Sequence, residues 1–234
     1  YIHLKVIPGA SDAAIEQAVS LASAVSLNIE TPGAKNLAKL SSKKKYIEDI
    51  IEPIKLISRL TEPGSRYQRV KQTTQFIVGA AGESDAQIVK YMFGLYERLR
   101  MHRVYFSAYQ KGLGEDSLVG ELQGAENPAD VLMREHRLYQ VDFLLRKYGF
   151  KESDIVFEKG DNLSLATDPK EAWAVGHPQI FPVDVNRASR PELLKVPGLG
   201  PITVNRIIER RKQGRLRNIE DIGKVGALLR KAES

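Results

Sequence analysis

The chain has 234 residues, 42% of them hydrophobic and 27% charged, proportions of a soluble globular protein that exclude wholesale disorder. It contains no cysteine, which excludes disulfides, zinc–thiolate sites and cysteine-ligated iron–sulfur clusters built from these residues, and no apolar run of about 18 residues, which excludes a membrane-spanning helix. The net charge of +6 sits entirely in residues 182–234, with 12 Lys and Arg against 6 Asp and Glu, while residues 1–181 balance to zero; a basic appendix on a neutral body most often meets nucleic acid, a salt-tolerant surface being the plainer reading.

The chain opens at Tyr1, on a strand-like run without the apolar core of a secretory signal. That suggests a fragment, a processed product or a cloning boundary, and a cytoplasmic location. Tyr1–Ile7 predicts a strand, stopped at Pro8-Gly9. Ser11 or Asp12 caps a helix with Ile15, Val19 and Ala22 on one face. Val25–Glu30 predicts the next strand, ending at Pro32-Gly33, and a short helix follows at Ala34–Leu40. Lys43–Leu60 predicts a longer helix with Ile47, Ile50, Ile54 and Ile57 as its apolar stripe and a kink at Pro53. The run Lys43-Lys44-Lys45 reads as its solvated start.

Gln75–Gly79 is a short apolar run of the kind buried on both faces of a sheet. Ser84 and Gln87 form a capping box for a helix carrying Ile88, Met92, Leu95 and Leu99. Arg103–Ala108 predicts a fourth strand, Gln110–Asn127 a long functional loop, and Pro128–Tyr148 a helix with Leu138, Val141, Leu145 and Tyr148 at helical spacing. Strands alternating with helices predict a parallel α/β architecture, with ligands at the strands' carboxyl ends. Those ends are Pro8–Ser11, Asn28–Pro32, Gly79–Ser84 and Ser107–Gln110. Four strands are too few to close a barrel.

In the basic tail, Ser189 and Glu192 predict a capping box, with Pro191 in the first turn and Leu193, Leu194 and Val196 as an apolar face. Pro197-Gly198-Leu199-Gly200 is a tight hairpin, and Pro201 opens a second helix with Val204, Ile207 and Ile208 inward. This stretch resembles the helix–hairpin–helix motif. The resemblance implies that the hairpin at Gly198, Leu199 and Gly200 holds a phosphate of duplex DNA without reading sequence, with Lys195, Arg206, Arg210 and Arg211 adding attraction. The competing role is packing of the tail on the body or on a partner protein. A second copy around Ile219–Leu229 is degenerate.

QFIVGAAGES at residues 75–84 resembles the strand-to-helix element of radical S-adenosylmethionine (radical SAM) enzymes, with Gly79, Gly82 and Glu83 at the matching places. VSLNIETP and RVYFSAY resemble that family's preceding and final barrel strands. The order of these segments, with the terminal hairpin, is similar to a radical SAM subfamily assigned to DNA modification or repair. The resemblance implies the second half of a TIM-like barrel in residues 1–166, a linker at 167–181 and a small all-α DNA-binding domain at 182–234. It implies that Asn28 and Glu30 face the ribose or amino-acid part of S-adenosylmethionine, that Ile77, Val78 and Gly79 pack on adenine, and that the Tyr105–Ser107 backbone hydrogen-bonds it. Ordinary sheet core is the competing role for Ile77 and Val78, and a solvated or capping carboxylate for Glu30.

The family's three-cysteine cluster loop has no counterpart here. A [4Fe–4S] cluster therefore belongs to the parent enzyme, whose partners would be duplex DNA, the missing amino-terminal barrel half or a DNA-repair protein, with no membrane. Arg134-Glu135-His136-Arg137 either lines a substrate pocket or supports the fold. His3, His102 and His177 are scattered and make no metal constellation. Two other readings remain: a non-enzymatic DNA-binding scaffold, and a DNA glycosylase using Asp221, 21 residues past Gly200. The strand-rich body argues against the glycosylase.

Overall fold

A computed structural model describes residues 1–112, 121, 127–223 and 231–232. The chain divides into two compact units, residues 1–139 with 157–165, and residues 140–156 with 166–234.

The first unit is α/β. Its strands are β1 (His3–Lys5), β2 (Ala24–Ser26), β3 (Lys71–Val78) and β4 (Arg103–Ala108), all parallel and in the order β1-β2-β3-β4. Helix α1 (Asp12–Leu21) starts where the Ser11 hydroxyl accepts the Ala14 amide, and it buries Ile15 and Val19. Helix α2 spans Ala34–Leu40. The long helix expected over 43–60 is instead a π-helical turn, Tyr46–Ile51, running into α3 (Glu52–Leu60). Pro53 has no N–H to donate backwards, and it stands in the first turn of α3, where the π-helical turn gives way to α-helix with the backbone helical at Ile51 and Glu52. Helix α4 (Asp85–Leu99) begins at the expected capping box, Gln87 N to Ser84 Oγ at 3.4 Å and Ser84 N to Gln87 Oε1 at 3.2 Å.

β3 starts four residues earlier than expected, and over the expected run from Gln75 onward it is not buried on both faces. Phe76 and Val78 are fully buried, whereas Gln75 and Ile77, which alternate with them, are only partly so. The period-two burial places one face on the core and leaves the other open. β2 leaves the ladder after Ser26, and the Thr74 hydroxyl spans the gap by donating to the Leu27 carbonyl (2.7 Å) and accepting the Ile29 amide (2.9 Å). Glu30 then rejoins β3, between the Gln75 carbonyl and the Ile77 amide.

Helix α5 (Pro128–Lys147) follows the predicted 110–127 loop, of which residues 113–120 and 122–126 lie outside the described residues. In the second unit, the stretch 167–181 is no linker. Asp168 caps α6 (Pro169–Val175), which buries Trp173 against Phe150, Phe181 and His177. Then come α7 (Arg190–Lys195) and α8 (Pro201–Gln213), around a core of Leu193, Leu194, Leu199, Val204 and Ile207. The predicted Ser189–Glu192 box is present. Of the degenerate second copy, only residues 219–223 are described. No described helix is long and apolar enough to cross a membrane.

Candidate nucleic-acid interface and the open sheet face

The hairpin between α7 and α8 exists because its residues allow nothing else at two places. Val196 ends α7 in extended backbone, and Gly198 has φ of 82°, a left-handed conformation that glycine adopts without strain. Leu199 is driven into the core, and its amide closes the turn on the Val196 carbonyl at 3.2 Å. Gly200 is extended and has no side chain with which to cap α8, and Pro201 brings no N–H. Among the described residues, the amides of Gly198, Gly200, Ile202 and Thr203 therefore donate to nothing. Free amides at the start of a 13-residue helix form a site suited to an anion.

The expected basic partners sort differently. Arg211 donates to the Val185 and Ala188 carbonyls (3.1 and 2.7 Å), which ties α8 to the segment before α7. Arg210 reaches the Asp221 carbonyl, and Arg206 lies across Gly223. Lys195 rests its ammonium over the Trp173 ring at 4.7 Å. Arg206 and Arg210 remain on the exposed side of α8, while Arg211 and Lys195 serve packing. Asp221 accepts the Arg217 and Asn218 amides, which hold its carboxyl below its ordinary range. It closes the capping box of the short turn Ile219–Ile222, which opens at Asn218.

Lys170 was missed by sequence reasoning. It is 7% exposed, its ammonium donates to the Leu199 carbonyl at 2.7 Å, and it lies 4.6 Å from the centre of the Tyr148 ring. Burial brings its pKa down to about 7, while Asp168 pulls it the other way. Asp168-Pro169 with Glu171 was a readable helix-start signal.

On the first unit, the open face of the sheet is polar. A depression of about 300 Å³ there is lined by His3, Lys5, Ser26, Asn28, Gln75 and Tyr105, among others. At its carboxyl edge Glu30 has φ of 64°, uncommon for a residue with a side chain, and its Oε2 is buried without a hydrogen-bond partner among the described residues. Ile77 shares the open face and is in register with Ser107. Val78 does not: it is fully buried on the opposite face, where the strand's alternation sends it.

Gly79 and Gly82 have φ of 86° and 68°. Glu83 turns back into their loop, accepting the Gly79 amide at 2.6 Å and the Ala81 amide at 3.0 Å. Burial raises its pKa, the loop amides opposing. Its carboxylate is thus engaged by its own turn, both oxygens accepting loop amides. The Phe106 backbone is likewise taken, by Tyr139.

The polar run on α5 is support. Arg134 pairs with the buried Asp85 and donates to the Glu83 carbonyl; Glu135 accepts the Ala108 amide at 2.7 Å; Arg137 holds the Ser164 and Leu165 carbonyls. His136 is exposed. Among the described residues, no cluster of His, Asp or Glu could hold a metal.

A family model described as the helix-hairpin-helix motif matches residues 179–232, and that motif points to nucleic-acid binding. Comparison with curated proteins and with solved structures gives no match.

Proposed function

We propose that the protein binds duplex DNA without sequence preference, a backbone phosphate seating on the hairpin amides of Gly198 and Gly200 and on the first turn of α8. The observation that carries this reading is the set of unengaged amides on a hairpin whose residues match the motif. Backbone amides meet phosphate and not base edges, so the contact carries no sequence code. Arg206 and Arg210 add attraction from the exposed side of α8. Fluorescence anisotropy of the full chain with a labelled duplex tests it: Gly198→Val, strained at φ of 82°, is expected to lose binding while the far-ultraviolet helical signal stays. Unchanged binding by that variant would contradict the hairpin as the site.

The α/β unit we read as the carboxyl-terminal half of a radical SAM-type barrel, from an enzyme that modifies or repairs DNA. The two sheet edges support this. Side chains cover the outer edge of β4, whereas among the described residues β1 pairs only with β2, leaving an edge for an amino-terminal barrel half. The polar open face would become the barrel interior. Asn28 and Glu30 are suited to the polar part of S-adenosylmethionine, and the unpartnered Glu30 oxygen fits a ligand amine or hydroxyl. Ile77 and the Gly79 turn would lie against adenine. The residues present do not fit a [4Fe–4S] cluster, because the chain has no cysteine, and no reaction step is assigned to one. The alternative is a DNA-binding scaffold that keeps this unit as a platform. Thermal unfolding with and without S-adenosylmethionine separates them: an upward shift lost in Glu30→Ala supports the barrel reading, and no shift favours the scaffold.

A further inference from the structure

The amide of Gly200 and the carbonyl of Leu199 belong to one peptide group. In a trans peptide they point in opposite directions. The carbonyl accepts the Lys170 ammonium at 2.7 Å inside the second unit, while the amide has no partner among the described residues. Lys170 comes from α6, ahead of the residues that match the motif. The side chain that grips the hairpin from below is therefore not part of the motif itself.

We propose that Lys170 is a positioning residue for phosphate binding: it orients the Leu199–Gly200 peptide, polarises its N–H, and takes up a proton as DNA binds. This inference rests on the DNA-binding reading. A cation on the carbonyl draws charge through the peptide and strengthens the amide as a donor, as hydrogen bonds in series do. A phosphate on the amide side favours the charged lysine in return, because the two are opposite charges on either side of one peptide group. Reciprocity follows: what raises proton affinity at Lys170 on DNA binding must raise DNA affinity on protonation.

The charged and titratable groups around Lys170 each have partners of their own. Asp168 is held by the Lys170 and Glu171 amides and by Gln140 Nε2. Burial raises the Tyr148 phenol above its ordinary range, with Asp168 adding to the rise. Glu171 pairs with Lys231, and Lys195 lies over Trp173 and Phe150. The His177 ring stacks on Trp173 with Nδ1 at the Trp173 carbonyl. With its pKa near 7 in the free protein, Lys170 changes charge where DNA binding is ordinarily measured.

The sign is fixed. Below about pH 7 the lysine is charged and affinity is highest; affinity falls as pH rises through the free and then the DNA-bound pKa. A rise of about one unit on binding corresponds to roughly tenfold between the two plateaus. The experiment is anisotropy of the full chain with a labelled duplex at fixed salt, from about pH 6 to about pH 9, on either side of the Lys170 pKa. Lys170→Met is expected to bind at the weaker plateau at every pH, without the loss of thermal stability that a merely structural lysine would cause. Lys170→Arg, charged throughout, is expected at the stronger plateau with no pH slope, and it decides the matter if the Met variant does not fold. His177→Gln is expected to keep the wild-type slope. A wild-type slope surviving in Lys170→Met or Lys170→Arg overturns the role of the lysine while leaving the hairpin reading intact. No binding by the wild-type chain at low salt overturns both.

Discussion

The Tyr139 hydroxyl closes the outer edge of β4 by using both sides of one residue: it accepts the Phe106 amide at 3.1 Å and donates to the Phe106 carbonyl at 3.0 Å. The neighbouring outward amides are closed the same way, Val104 on Tyr96 Oη and Ala108 on Glu135. A strand so treated is finished and offers no ladder to a further strand. Tyr139→Phe keeps the ring on Phe106 but strands a buried amide and carbonyl. It is expected to destabilise the first unit by about 1–3 kcal/mol, the cost of leaving such groups unpaired. Denaturant unfolding followed by circular dichroism measures it, and an unchanged midpoint would mean that water replaces the hydroxyl.

The turn after β3 depends on a carboxylate and not on its glycines alone. Glu83 accepts the Gly79 and Ala81 amides with its two oxygens. Gln at this position supplies one acceptor and sets an NH₂ against the other amide. Glu83→Gln is therefore expected to cost about 1–3 kcal/mol in denaturant unfolding, despite carrying no buried charge. If the variant is as stable as the wild type, relief from burying the carboxylate offsets the lost bond.

The single tryptophan, Trp173, is 2% exposed in the second unit, so its fluorescence reports that unit's unfolding. Lys170 is brought from 10.5 to about 7 in the folded chain. Between those values the unfolded chain holds more protons, so stability rises with pH. Urea midpoints read from Trp173 are expected to increase from about pH 7 to about pH 9, inside that window, and to stay level in Lys170→Met. A falling midpoint in the wild type would show the lysine to be stabilised as a cation.

Where local chemistry decides, the residues announced the structure. The capping boxes at Ser84 and Ser189 and the hairpin at Gly198 are set by hydrogen bonds within four residues, and they form as read. The alternation of β3 was hidden because Gln75 and Ile77 are of mixed character, and only the pairing with β4 shows which face is open. The site called for more distant information. Glu83 looked available to a ligand because nothing in its own triplet says that it folds back on Gly79. Arg211 and Lys195 looked like DNA contacts because a charge run does not reveal which guanidinium finds the Val185 carbonyl or which ammonium finds Trp173. Lys170 was passed over as linker although Asp168-Pro169 announced a helix, and its bond to Leu199 spans 29 residues.

The proposed function has the hairpin hold phosphate and not base sequence. It is tested most directly by titrating the full chain into labelled duplexes of two unrelated sequences over a series of salt concentrations. Equal affinities are expected for the two, falling linearly in log–log form with salt as counterions are released. Arg206→Ala is expected to flatten the slope by up to about one unit. Absence of binding at the lowest salt, or a strong preference for one duplex, would contradict the account.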